Sequence, residues 1–138
     1  MTTCASAAAA PDLDQLMAEV LCATGRFGHR EHVHLTWLAV RHFGPARAVD
    51  VISDGIQRTA RYGGAPQKYN ATVSRAWVEL IAHHVAEGPE DDFRRFVSHH
   101  AALLDKRLLL RFYRSTTLAG HQARVGWVEP DAHAFPWA

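Results

Sequence analysis

Apolar residues recur along this chain at intervals of three and four, the spacing that gathers them on one side of an α-helix. Leu13, Leu16, Met17, Val20 and Leu21 fit the template i, i+3, i+4, i+7, i+8; Pro11-Asp12 opens the segment and Gly25 supplies a stop. A second helix is predicted from about His29 to Phe43, ended by Gly44-Pro45. Pro45 then sits where a first helical residue lacks nothing by having no N–H, so a third helix follows to about Tyr62. The connection is so short that these two helices should be packed neighbours.

Gly63-Gly64-Ala65-Pro66 is the strongest break in the chain, because glycine admits left-handed backbone and proline drives its predecessor out of the helical region. After it, Val73, Trp77, Leu80, Ile81 and Val85 mark a fourth helix, closed by Gly88-Pro89. Phe93, Phe96, Val97, Leu103 and Leu104 predict a fifth, and Asp105 is placed to cap a short sixth through Leu108, Leu109 and Phe112. Ser115, Thr116 and Thr117 can cap one or two further turns. The closing VGWVEPDAHAFPWA is too rich in proline and aromatic residues for regular structure, and is expected to lie on the body with Trp127 as an anchor.

No stretch alternates in the manner of a strand and no repeat is visible, so the expected fold is all-α: one bundle of five to six helices over residues 11–138, with an irregular C-terminal tail packed on it and a flexible segment at 1–10. A chain of 138 residues with 48% apolar and 21% charged side chains suits one core. Charge removes some partners from consideration. Fifteen Lys and Arg against fourteen Asp and Glu leave +1, with no field suited to a phosphate backbone, so nucleic acid is not expected. No run is long and apolar enough for a membrane span. Cys4 falls in the lead-in and Cys22 in a helix, which predicts neither a disulfide framework nor paired metal ligands. The first residues, MTTCASAAAAPD, lack the basic start and apolar core of a secretory signal, so the expected location is the cytoplasm.

Ten histidines are the chemical feature of the composition. At about 100° per residue, His29, His32, Val33, Thr36 and Val40 fall on one side of the second helix, and Arg30, Glu31, His34, Arg41 and His42 on the other. His29 and His32 are therefore an inward i, i+3 pair, able to put two nitrogens on one ion or to act as acid and base. On the fourth helix Asn70, Val73, Trp77, Leu80, Ile81 and His84 face inward, while Arg75, Glu79 and His83 face out. His84 and His100 read as satisfied core histidines, and His83, His99, His121 and His133 as surface residues. Lys68 and Tyr69 adjoin Asn70 at the glycine-proline hinge, and in a chain with only one other lysine they are candidates to bind an anion or move a proton. Arg111 could add a cation. Zinc-protease, di-iron, serine-hydrolase, phosphate-loop and dinucleotide patterns are all absent.

Phe27-x-His29-x-x-His32, Lys68-Tyr69-Asn70-x-Thr72, Leu103-Leu104-Asp105-Lys106-x-Leu108-Leu109 and Trp127-Val128-Glu129-Pro130-Asp131 together resemble a family of small bacterial all-helical proteins of uncharacterised activity, over about residues 26 to 136. In that family the middle motif looks like Lys-Tyr-His, and the resemblance implies a three-histidine metal site. Asn70 stands where that histidine is expected. An amide is a poor ligand for zinc or iron, so the departure implies either a metal-free pocket or an ion held by His29, His32 and another group such as His84 or a carboxylate.

The expected function is that of a small enzyme acting on a small molecule, in the setting of specialised metabolism. Its pocket would lie between the starts of the second and fourth helices, with His29, His32, Lys68 and Tyr69 catalytic, Asn70, Trp77 and Arg111 binding substrate, and His29 and His32 holding a mononuclear Fe, Zn or Cu ion if one is used. The alternative is a non-catalytic ligand-binding or assembly protein, for example a homodimer, in which Trp127, Phe135 and Trp137 meet a partner chain.

Overall fold

Asp12 begins the first helix by the chemistry of its side chain. Its carboxylate accepts from the Gln15 N–H at 2.9 Å, and the Gln15 side chain accepts from the Asp12 N–H at 2.9 Å, so two otherwise unpaired donors are satisfied reciprocally. The computed structural model describes residues 12–62, 69–88 and 90–137. Helix α1 runs Leu13–Thr24 and stops at Gly25, whose φ of 76° lies in the left-handed region. Helix α2 is His29–Phe43, with the Glu31 carboxylate accepting from Gly28 N–H at 2.7 Å, and α3 is Pro45–Tyr62. Helix α4 is Ala71–Glu87, capped by Asn70, whose side-chain oxygen accepts from Val73 N–H at 2.9 Å. Helices α5 (Phe93–His99), α6 (Ser115–Ala119) and α7 (His121–Val125) are short.

The fold is all-α, and no strand occurs among the described residues. Helices α2, α3 and α4 pack on one another, α1 lies on α2 and α3, and α7 lies against α4. Leu16, Val20, Val33, Ile52, Leu80, Ile81, Phe96 and Leu103 are almost wholly enclosed between them. No described helix is long and apolar enough to cross a membrane.

Two expectations change. The fifth helix ends at His99, because His100 leaves the helical region at φ −133° and ψ 51°. The segment predicted to continue it, and the sixth helix that Asp105 was expected to cap, are 3₁₀ turns at Ala101–Leu104 and Leu108–Arg111. Tighter winding suits a short connection that must still turn Leu103, Leu108 and Leu109 into the core. The second change concerns Cys22, which is disulfide-bonded, contrary to the expectation of no disulfide. The expected flexible segment at 1–10 and the hinge at 63–68 lie outside the described residues.

The C-terminal tail lies on the body, as expected, and its attachment is polar as well as apolar. Thr72, fully buried in the first turn of α4, donates its hydroxyl to Gly126 C=O at 2.6 Å and accepts from Val128 N–H at 3.0 Å. Tyr113 donates to Val128 C=O at 2.7 Å, and Asp131 accepts from the Arg114 N–H and the Thr117 hydroxyl. Phe135 is buried and Trp127 packs against the core.

Thr72→Val keeps the side-chain shape but takes from the part-buried Gly126 carbonyl and Val128 N–H the hydroxyl they bond. It should lower unfolding free energy by about 1–3 kcal/mol, measured by urea denaturation, and increase amide exchange around Gly126 and Val128.

Candidate functional site

The first turn of α2 places His29 against two other parts of the fold. Its Nε2 lies 2.9 Å from the Leu103 carbonyl oxygen, so this nitrogen carries the proton and donates, and Nδ1 presents a lone pair. The edge of the pair His29 and Trp77 is closed by a T-shaped ring contact at 4.8 Å. His32, one turn further on, has its ring centroid 6.4 Å from that of His29. No described side chain or carbonyl hydrogen-bonds the His32 ring. Burial, reinforced by the neighbouring His29, pushes its pKa down from 6.5 to about 4, so His32 is a neutral imidazole at pH 7.

The structure thus brings His29, His32 and the buried Trp77 into one neighbourhood. It gives the remaining candidates other surroundings. Asn70 directs its side-chain hydrogen bonds to Val73 N–H and to the Leu118 carbonyl at 2.7 Å, so it ties α6 to the start of α4 and bonds to neither histidine. Tyr69 lines a separate open cleft of about 440 Å³ with Gln57, His121, Arg124 and Val125. Arg111 is exposed at the end of a 3₁₀ turn, and Lys68 lies outside the described residues.

As a metal centre the His29 and His32 pair is incomplete. Two imidazoles on a tetrahedral ion, with metal–nitrogen bonds of about 2.0–2.1 Å, put their centroids about 5 Å apart. The observed 6.4 Å is wider. Among the described residues, the group able to supply three ligand atoms lies elsewhere: His83, His84 and Glu87, whose ligand atoms are within 4.8 Å of one another. Glu87 Oε1 is 2.9 Å from His84 Nδ1 and 3.4 Å from His83 Nε2.

Sorting histidines one at a time by helical face missed this group, because His83 and His84 are about 100° apart around the axis. The signal was the third residue. Glu87 stands at i+4 from His83 and i+3 from His84, and from that position it reaches both. Glu31, assigned to the outer face, is buried instead, and its carboxylate is held below the ordinary range chiefly by the Gly28 N–H. His34, also assigned outward, stacks on Phe93 with centroids 4.1 Å apart.

Comparison with protein-family models, with curated proteins and with solved structures finds no match.

The displaced pKa of His32 carries a pH dependence. Above 6.5 neither the folded nor the unfolded chain is protonated there; as pH falls from 6.5 towards 4 only the unfolded chain takes the proton, so the native state loses stability over that window. The loss reaches about 3 kcal/mol. Comparing urea denaturation of the parent and His32→Phe from pH 7 to 4 should show a shallower decline in the variant; parallel curves would contradict a buried neutral His32.

Proposed function

We propose that the protein is a small enzyme that binds a small molecule beside Trp77 and handles one of its protons with His29 and His32. The observation that carries this reading is the pairing of an oriented imidazole, His29, with a neutral, half-buried imidazole, His32, that has no hydrogen-bond partner among the described residues. Desolvated histidines with displaced pKa values are costly for a fold, and they concentrate where chemistry needs them. His29, held through Nε2 by Leu103, offers Nδ1 as an acceptor; His32 offers both an acceptor and an N–H. A ligand carrying an acidic proton would be recognised by both rings, with Trp77 as an apolar wall.

This reading favours acid–base work over a bound ion at these two residues, because the pair lacks a third ligand among the described residues. The rival reading, a helical assembly protein docking through its aromatic tail, draws less support. Phe135 is buried in its own chain and Trp127 packs on its own core; Trp137, 41% exposed, is itself stacked on Phe135 and packed against His83.

A screen of small carboxylic acids, amides and carbonyl compounds by imidazole ¹⁵N NMR tests the proposal. Binders should shift the His29 and His32 resonances, and His32→Gln, with an unchanged amide spectrum elsewhere, should weaken them at least tenfold, about 1.4 kcal/mol. Binders that leave both rings unmoved, or that bind His32→Gln equally well, would remove the proposal's basis. For the rival, sedimentation of Trp137→Ala should show the same mass as the parent.

A further inference from the structure

At the other end of α4 a second constellation forms that the reading above does not use. His83, His84 and Glu87 occupy the last turn of α4, and His100, which follows α5 and lies near Glu90, meets His84 from the other side. The two halves touch through imidazole rings: His84 and His100 stack with centroids 4.5 Å apart. On the α5 side, Glu90 Oε1 accepts from His99 Nδ1 at 2.8 Å and lies 3.8 Å from His100 Nε2. Burial, and then the neighbouring His84, hold the His100 pKa below its ordinary value.

Three features point to a cation. The His83 and His84 centroids are 5.2 Å apart, which matches the separation of about 5 Å for two imidazoles on one tetrahedral ion. Glu87 already brings one oxygen to both. Finally, the Glu90 side chain is only 9% exposed, and its Oε2 is buried with no hydrogen-bond partner among the described residues. A buried, unpaired oxygen on a carboxylate whose other oxygen already faces two imidazoles is an arrangement a divalent cation would satisfy. Gly88 makes the position of Glu90 tenable: a Cβ there would come within 2.1 Å of Oε2, so the carboxylate occupies the space a side chain would fill. The carbonyl end of a 17-residue helix adds negative potential at the same place.

We propose that this is a divalent transition-metal site, with His83, His84 and Glu87 as ligands and the Glu90–His100 pair closing it from the α5 side. Mixed imidazole and carboxylate donors suit zinc or cobalt better than calcium or magnesium. The ion would join the end of α4 to the end of α5 and raise the stability of the bundle. It shares no residue with the His29 and His32 pair, although Trp77 and His84 lie two turns apart along one side of α4, about 10 Å.

Cobalt(II) titration of the untagged, chelator-treated protein tests this directly. The expected result is one equivalent bound with micromolar or tighter affinity, with the intense visible absorption of a tetrahedral site, displaced by zinc, and a raised melting temperature. Glu87→Gln, at an exposed position that should not disturb folding, and His84→Ala should each weaken binding at least tenfold. Glu90→Gln should weaken it several-fold, and His29→Ala/His32→Ala should leave it unchanged. The proposal is overturned if no ion binds more tightly than millimolar, if Glu87→Gln and His84→Ala bind as the parent does, or if binding disappears with His29 and His32. An unchanged affinity in Glu90→Gln overturns the part given to Glu90.

Discussion

Helix α4 is enclosed by α2, α3 and α7, so polar side chains on several of its faces must find partners inside the protein. Much of the structure follows from how they do so. Thr72 takes its partners from Gly126 and Val128, Ser74 lies 3.2 Å from Ser53 on α3, and Asn70 reaches the Leu118 carbonyl. Each of these bonds is also an instruction about where a distant segment lies. The tail is therefore fixed in register on α4 by directional contacts, and its aromatic residues, Trp127 and Phe135, complete the packing.

The same helix organises the chemistry. Trp77, near its middle, packs against His29, and His84, seven residues on, stacks with His100, which follows α5. Histidine serves these places in different states. His32 is kept neutral by burial, while His99 hydrogen-bonds Glu90 and holds that carboxylate below its ordinary pKa. One residue type thus supplies an uncharged donor–acceptor at one point and a partner for negative charge at another, according to desolvation and the nearest carboxylate.

Helix existence and most helix ends were legible in the sequence because they depend on neighbours in the chain. The boundaries of α1 to α4 follow largely from caps and breakers at Asp12, Gly25, Gly44-Pro45 and Gly88, where local hydrogen bonding and backbone freedom decide the outcome. The inward placing of His29, His32 and Trp77 was legible for the same reason: a regular period converts position into direction. Beyond His99 that period fails. Short segments there wind as 3₁₀ turns under the demands of the core, and local propensity is too weak to set their form.

The tertiary structure decided what met across elements. It turned Asn70 from an expected substrate contact into a helix cap and tether, sent Tyr69 and Arg111 to other surfaces, and gathered histidines from α4 and α5 around Glu87 and Glu90. Such meetings depend on helix crossings and loop paths, which single-helix periodicity does not encode. The sequence by itself determined the four long helices and most of their inner faces through i, i+3 and i, i+4 spacing; which of those faces confront one another was settled only by packing, where side-chain volume and the satisfaction of buried polar groups act over long chain separations.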